Sequence, residues 1–183
     1  MKNKIFLSVL SITVLFACSN GNKDSSGEKQ NMISQIDSLQ KNMFNAKSME
    51  LDKNLAFKGI AAYQDFVKKF PEDSIHSAEY LFRMSDLLRA MGNYGKAIEN
   101  LGQITKNYPS FKKLPECIFL QGYYSQEFFG DTIRAKEFYL QLISKYPTHA
   151  FAYDAKELMK MFGKSEQDII KEFEKKEQEG KKK

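Results

Sequence analysis

Apolar side chains recur at three- and four-residue steps through most of this chain, and three of the runs end on the same two-residue signal. Ile33, Ile36, Leu39 and Met43 keep that spacing, and Ile60, Tyr63, Phe66 and Val67 share one face in the same way. Such a period buries one side of an α-helix, whereas a strand needs strict alternation, so the pattern predicts amphipathic helices. The stops are Phe70-Pro71, Tyr108-Pro109 and Tyr146-Pro147, each proline 38 residues from the next. A proline cannot donate a backbone hydrogen bond and drives the residue before it out of helical geometry, so each helix is expected to end at the aromatic residue. Upstream of each proline the same residue classes stand at the same offsets. Gly59, Ala97 and Ala135 lie twelve residues before, Tyr63, Leu101 and Tyr139 eight before, and Phe66, Ile104 and Leu142 five before. A fixed period of this length implies stacked supersecondary units rather than one closed core.

Within one period the pattern divides in two. Ser77 to Met91 is dense in apolar residues, broken by Glu79, Arg83, Asp86 and Arg89 as a polar stripe. Gly92-Asn93 then turns the chain, with glycine suited to a left-handed C-terminal position and asparagine to capping the helix that follows, which runs to Asn107. The third unit repeats the plan. Pro115 and Glu116 open its first helix, Gly130-Asp131 turns it, and Thr132 to Lys145 returns. His149 to Phe162 starts a fourth unit, Gly163 ends that helix, and Ser165-Glu166-Gln167-Asp168 has the form of a capping box. Small residues at Ala97 and Ala135 are expected where the two helices of a pair approach closely. The predicted fold is all-α, with antiparallel helix pairs stacked as a short solenoid of three to four units over residues 31–165. A capping helix and Lys-rich tail occupy 166–183.

The offsets of small residue, aromatic or leucine, apolar residue and closing proline, at Ala97, Leu101, Ile104 and Pro109 and again at Ala135, Tyr139, Leu142 and Pro147, resemble the tetratricopeptide repeat family. Gly92 and Gly130 fall in the family's turn register. The resemblance covers residues 38–163, and the units exceed the family's usual 34 residues by four, which the segments Glu72–His76 and Ser110–Leu114 after each proline accommodate. It implies a non-enzymatic stack of helix pairs that binds protein or peptide partners along a concave face lined by the first helix of each pair. The stripe lacks the Lys and Asn set with which some family members clamp a C-terminal carboxylate.

The N-terminus changes the picture of where such a stack resides. Met1 to Lys4 is positive, and Ile5 to Ala17 is a mostly apolar run of 13 residues. As a helix this run would span about 20 Å, short of a bilayer core of about 30 Å, so residues 1–17 read as a signal peptide. Leu15-Phe16-Ala17-Cys18 resembles a bacterial lipobox, which implies a lipidated Cys18 and a protein anchored in the cell envelope, facing the periplasm from the outer membrane or exposed at the surface. Ser19 to Gln30 has no apolar side chain and is expected to be a flexible tether, so that residues 18–30 lift the folded part off the lipid.

Charge and candidate chemistry narrow the function classes. The net charge of +5 resides at the two ends: Lys2 and Lys4 in the leader, and the lysines among 175–183 in the tail, so residues 19–174 are near neutral. A basic face for nucleic acid is missing. With Cys18 reserved for lipid, only Cys117 is left, in an apolar stretch where it reads as a packed thiol. Gly163-Lys164-Ser165 ends like a phosphate loop, but Leu158 stands where its first glycine is required. His76 and His149 follow closing prolines and read as surface or capping residues. No catalytic, metal or cofactor site is expected.

The stripe supplies the candidate interaction surface. Adding 38 to its positions, and 71 by the turn glycines for the fourth unit, selects Glu79, Arg83, Asp86, Arg89, Gln121, Tyr124, Glu127, Asp154, Glu157 and Lys160 as a solvent-facing groove. Tyr124 is its expected aromatic anchor. The leading function is a membrane-anchored interaction scaffold of the bacterial envelope, of an envelope-assembly or division type. The alternative is a glycan- or peptidoglycan-binding lipoprotein. Residues 31–45 read either as the first helix of the first unit or as a separate element through which two copies could pair.

Overall fold

The computed structural model describes residues 21–44, 50–165, 167–168 and 170–171. The leader 1–17, Cys18 and nearly all of the Lys-rich tail lie outside the described residues. Seven helices follow one another: α1 (Gly21–Asn42), α2 (Lys53–Lys69), α3 (His76–Ala90), α4 (Tyr94–Asn107), α5 (Leu114–Phe129), α6 (Thr132–Lys145) and α7 (Ala150–Lys160). Each packs on its successor, and α5 also touches α7. Among the described residues there is no strand, only an isolated bridge between Phe44 and Leu51. The described part of the molecule is an all-α solenoid: α1–α2, α3–α4 and α5–α6 are antiparallel pairs, and α7 begins a fourth.

The boundaries follow from local chemistry. Asp52 accepts from the N–H groups of Asn54 and Leu55 to start α2, Asn93 accepts from Lys96 to start α4, and Asp131 accepts from Arg134 to start α6. Gly92, Gly130 and Gly163 turn the chain after the first helices α3, α5 and α7 at φ 78°, 64° and 77°, a left-handed conformation that side chains disfavour. Phe70, Tyr108 and Tyr146, the residues before the prolines, leave the helix at φ −126°, −128° and −135°. The aromatic residue does more than stop a helix. Tyr108 is buried, and its hydroxyl donates to the carbonyl of Pro71 at 2.9 Å, tying one post-proline loop to the previous one. Ser165 and Asp168 exchange the reciprocal hydrogen bonds of a capping box.

The core forms two clusters. One runs from Ile36 and Met43 through Tyr63, Phe66, Leu81 and Leu101 to Cys117 and Tyr124. The other joins Ile118, Ala135, Tyr139 and Leu142 to Ala152 and Ala155. Helix α5 contributes to both and is the keystone of the stack. Ala97 and Ala135, fully buried, sit at the helix crossings: the Ser85 hydroxyl lies 3.2 Å from the Ala97 carbonyl, and a Cβ on Gly122 would lie 3.2 Å from that of Ala135. Cys117 is enclosed, and burial pushes its thiol up to about 12, so it is an inert packing group.

At the N-terminal end one expectation is corrected and one alternative is decided. Residues 21–30, expected within the flexible tether, are the first turns of α1. Helix extension is cheap once a turn exists, and two residues of this stretch reach the rest of the stack: Glu28 pairs with Lys69, and Lys29 reaches Asp73 at 2.5 Å. Of the two readings of 31–45, the structure shows the first helix of the first unit rather than a face left for a second copy: the apolar side of its described part, 31–44, is used within the chain. Ile36 and Met43 are 1% and 2% exposed in the first core cluster, and Gln40 donates to the Tyr63 hydroxyl at 3.0 Å. Helix α1 is therefore the first helix of the first pair.

Candidate functional site

In a stack of helix pairs the first helices line the inner curve of the superhelix. Here these are α1, α3, α5 and α7. The solvent-facing line on α3 is Glu79, Arg83, Asp86 and Arg89, as the sequence predicts: Arg83 and Arg89 are exposed, Glu79 and Asp86 half-buried.

On α5 the line is displaced by one residue from its expected place. Gln121 and Tyr124 are each 3% exposed, so neither is a surface side chain. The buried set Ala78, Leu81, Met84, Ser85, Leu87 and Leu88 on α3 reappears as Pro115, Ile118, Gln121, Gly122, Tyr124 and Ser125, 37 residues on, while turns and second helices repeat at 38. Helix α5 has 16 residues against 15 in α3, and the added residue lies in its last turn. The α5 counterparts of Glu79, Arg83, Asp86 and Arg89 are thus Glu116, Leu120, Tyr123 and Gln126, all half-buried. The sequence does hold the signal, in the small residues Ser85 and Gly122 at the crossings rather than in the turn glycines. A Cβ on Gly122 would stand 2.6 Å from the Tyr139 ring, so this position must face α6. Glu127 is exposed near the end of α5.

On α7, Asp154, Glu157 and Lys160 are exposed, as expected. Glu157 and Lys160 form an ion pair at 2.5 Å, and by the 37-residue step they fall in line with Leu120 and Tyr123. Asp154 falls in line with Cys117 instead, and the exposed Tyr153 takes the place corresponding to Glu116.

Charge knits the α3 and α5 lines together through a residue outside the stripe. Lys113, immediately before α5, places Nζ 3.2 and 3.1 Å from the two carboxylate oxygens of Glu79, and Arg83 donates from Nε to the same carboxylate at 2.9 Å. The Lys113 ammonium also sits 4.6 Å from the centre of the Phe82 ring. Burial raises the carboxyl pKa of Asp86 against the pull of Arg89, Lys113 and Arg83, and that of Glu116 against Lys113. The same face continues toward α1 as a cavity of about 190 Å³ bordered by Gln40, Phe44, Tyr63, Arg83 and Asp86.

The histidines serve the scaffold. His149 caps α7 by accepting from the Phe151 N–H at 3.3 Å. His76 lies beside Asp73, where burial works against the carboxylate but hydrogen bonds from the His76 N–H, Lys29 and the His76 ring outweigh it and hold its pKa at about 2. Among the described residues no group of three or more His, Cys, Asp and Glu side chains is placed to hold a metal.

Two segments, 79–110 and 116–149, match the family model described as tetratricopeptide repeat. These two units are tetratricopeptide repeats. They cover most of α3–α4 and of α5–α6, and Lys113 lies in the short gap between them. Tetratricopeptide repeats commonly bind protein partners, and here the two matched repeats support an interaction scaffold. Comparison with curated proteins gives no significant match. Among the described residues no helix is long and apolar enough to cross a membrane.

Proposed function

We propose that this chain is a lipid-anchored interaction scaffold of a bacterial cell envelope, which receives a segment of a protein partner along the face of its first helices. The observation that carries the reading is the cluster of Glu79 with Arg83 and Lys113, whose ion pairs tie α3 to the residue before α5 while its side chains, and those of Asp86 and Glu116 on the same two helices, stay in contact with solvent. Groups on such a row set orientation and encounter rate more than raw affinity. The half-buried Leu120 and Tyr123 supply apolar contact beside the charges. The anchor rests on Leu15-Phe16-Ala17-Cys18 behind a short apolar leader.

Two experiments test the two halves of the proposal. For the anchor, Cys18→Ser should release the protein from the membrane fraction or leave an unprocessed precursor; unchanged processing and partition would overturn it. For the face, capture of partners from detergent-solubilised envelope is compared between wild type and Arg83→Ala with Lys113→Ala. Loss of specific partners at unchanged helicity supports the reading, and an identical set of partners refutes it.

A further inference from the structure

On the reading that Cys18 is lipidated, we infer that the edge of the stack formed by the first two post-proline loops docks on the anionic lipid surface of the membrane that holds the anchor. The cavity between those loops would receive a phospholipid headgroup.

The start of α1 decides which edge lies near the lipid. Only Ser19 and Asn20 separate Cys18 from Gly21, the first residue of α1, and that stretch of chain reaches about 10 Å at most. From Gly21 to Lys29 the helix rises about 12 Å, and there Glu28 and Lys29 pair with Lys69 and Asp73, on either side of Pro71. The first post-proline loop is therefore within about 22 Å of the acylated residue. The opposite edge, with the turn glycines Gly92 and Gly130, lies farther off by the length of α3, about 22 Å.

The two loops form one surface. The Tyr108 hydroxyl donates to the Pro71 carbonyl at 2.9 Å. Ser74 and Ile75 of the first loop and Ser110, Phe111, Lys112 and Lys113 of the second border a cavity of about 350 Å³. Glu79 also lines it, and that carboxylate is already paired with Arg83 and Lys113.

The chemistry of this surface suits an anionic, amphipathic partner. In the last turns of α2 and α4 and in the two loops, Lys68, Lys106 and Lys112 have no ion pair among the described residues, against one unpaired acid, Glu72. Inside the cavity the Ser74 and Ser110 hydroxyls make no hydrogen bond among the described residues. An ammonium and two hydroxyls are donors for phosphate oxygens, and unpaired lysines are drawn to an anionic leaflet.

Ile75 supplies an independent observation. It occupies the N-cap of α3, where a side-chain acceptor is favoured, yet it makes no capping bond and is 74% exposed. Asp73 takes that role instead, accepting from the His76 N–H at 3.0 Å. A branched apolar side chain that neither caps nor is buried, beside a cavity and unpaired lysines, is suited to insert among lipid headgroups.

The test uses the full lipidated chain in vesicles of mixed phosphatidylglycerol and phosphatidylcholine. With Cys18 acylated and Cys117 enclosed, a thiol introduced by Ser74→Cys, or by Ile133→Cys at the turn edge, carries a fluorophore that lipids with nitroxide headgroups quench on contact. The label at 74 should be quenched and the label at 133 should not. Lys68→Glu with Lys106→Glu and Lys112→Glu, Ile75→Ser, or pure phosphatidylcholine should each reduce quenching at 74 about threefold or more, while the protein stays on the vesicles through its anchor. Thermal melting of each variant verifies its fold. If the chain floats with the vesicles but 74 and 133 are quenched alike, or quenching at 74 ignores lipid charge and the lysine changes, the docking edge is wrong and the anchor stands. Loss of a protein partner from solubilised envelope in these variants, with quenching unchanged, would make the edge a protein surface and also overturn the inference. If the chain with Cys18 intact does not float with vesicles at all, both readings fail.

Discussion

The second and third helix pairs solve the same packing problem with opposite assignments of bulk. In α3–α4 the crossing is made by Ser85 against Ala97, and Leu101 fills the next layer. In α5–α6 Gly122 faces Ala135, and the ring of Tyr139 occupies the space a side chain on residue 122 would need. Serine with leucine and glycine with tyrosine are alternative ways to fill a crossing at constant volume, as close packing demands. The polar detail differs with them. The Ser85 hydroxyl lies 3.0 Å from the Leu81 carbonyl and 3.2 Å from the Ala97 carbonyl, whereas Tyr139 crosses the helix pair and donates to Gln126 at 3.3 Å. A repeat therefore constrains combinations of residues more tightly than single positions. The first pair departs further: its α1 is held on the stack partly by ion pairs to Lys69 and Asp73, and the long side chain of Met43, where the other pairs use Ser85 and Gly122, covers Gly59.

The largest effect should come from forcing one pair's residue into the other's crossing. Gly122→Ser is expected to cost about 1–3 kcal/mol by overpacking against Tyr139. Adding Tyr139→Leu should recover part of that loss, whereas Tyr139→Leu alone should destabilise. Urea denaturation of the four proteins gives the coupling energy, and strict additivity would mean that the two positions do not share volume.

The attachment of the first pair comes next. Asp73→Asn should destabilise by about 1–2 kcal/mol at neutral pH, because a carboxylate with three charge-assisted partners is lost. The folded pKa lies below the ordinary 3.8, so the stabilisation is present above that value and disappears as pH falls through about 2. Wild type should lose stability across this window and the variant should be flatter there, as read by thermal melts against pH. Parallel curves would remove Asp73 from the account.

Ser85→Ala should cost about 1 kcal/mol through its hydrogen bond at the α3–α4 crossing. Alanine at the equivalent position of the third pair, Gly122→Ala, should cost more although it adds only a methyl group. Equal costs would show that the two crossings are interchangeable after all. The smallest effect has the opposite sign. Because burial raises the Asp86 pKa, its contribution to stability is present when the group is protonated and fades as pH rises through the folded value. Asp86→Asn should thus hold or slightly raise the melting temperature at neutral pH while weakening partner binding. A clear loss of stability would indicate that Asp86 is a structural group rather than a recognition group.

Much of the architecture was legible in the chain itself. Helix boundaries were set by local groups, namely prolines, turn glycines and capping Asn and Asp, whose conformational limits do not depend on distant contacts. The face of α3 was legible for a similar reason, since a period of 3.6 within one helix leaves little freedom. The placement of α5 was not. The repeat measured between prolines and turn glycines is 38, but the burial pattern of the first helices advances by 37, and that one residue rotates Tyr124 and Gln121 from the groove into the core. Only the contact of α5 with both neighbouring pairs fixes its rotation. Nor could the polar run 21–30 be recognised as helix, because it offers no apolar period, and the partners of its Glu28 and Lys29 are Lys69 and Asp73, far away in sequence. The sequence by itself determined where helices start and stop and that they stack in pairs. The tertiary structure decided how each helix is turned about its own axis, because rotation is fixed by the volume and charge of residues on other helices.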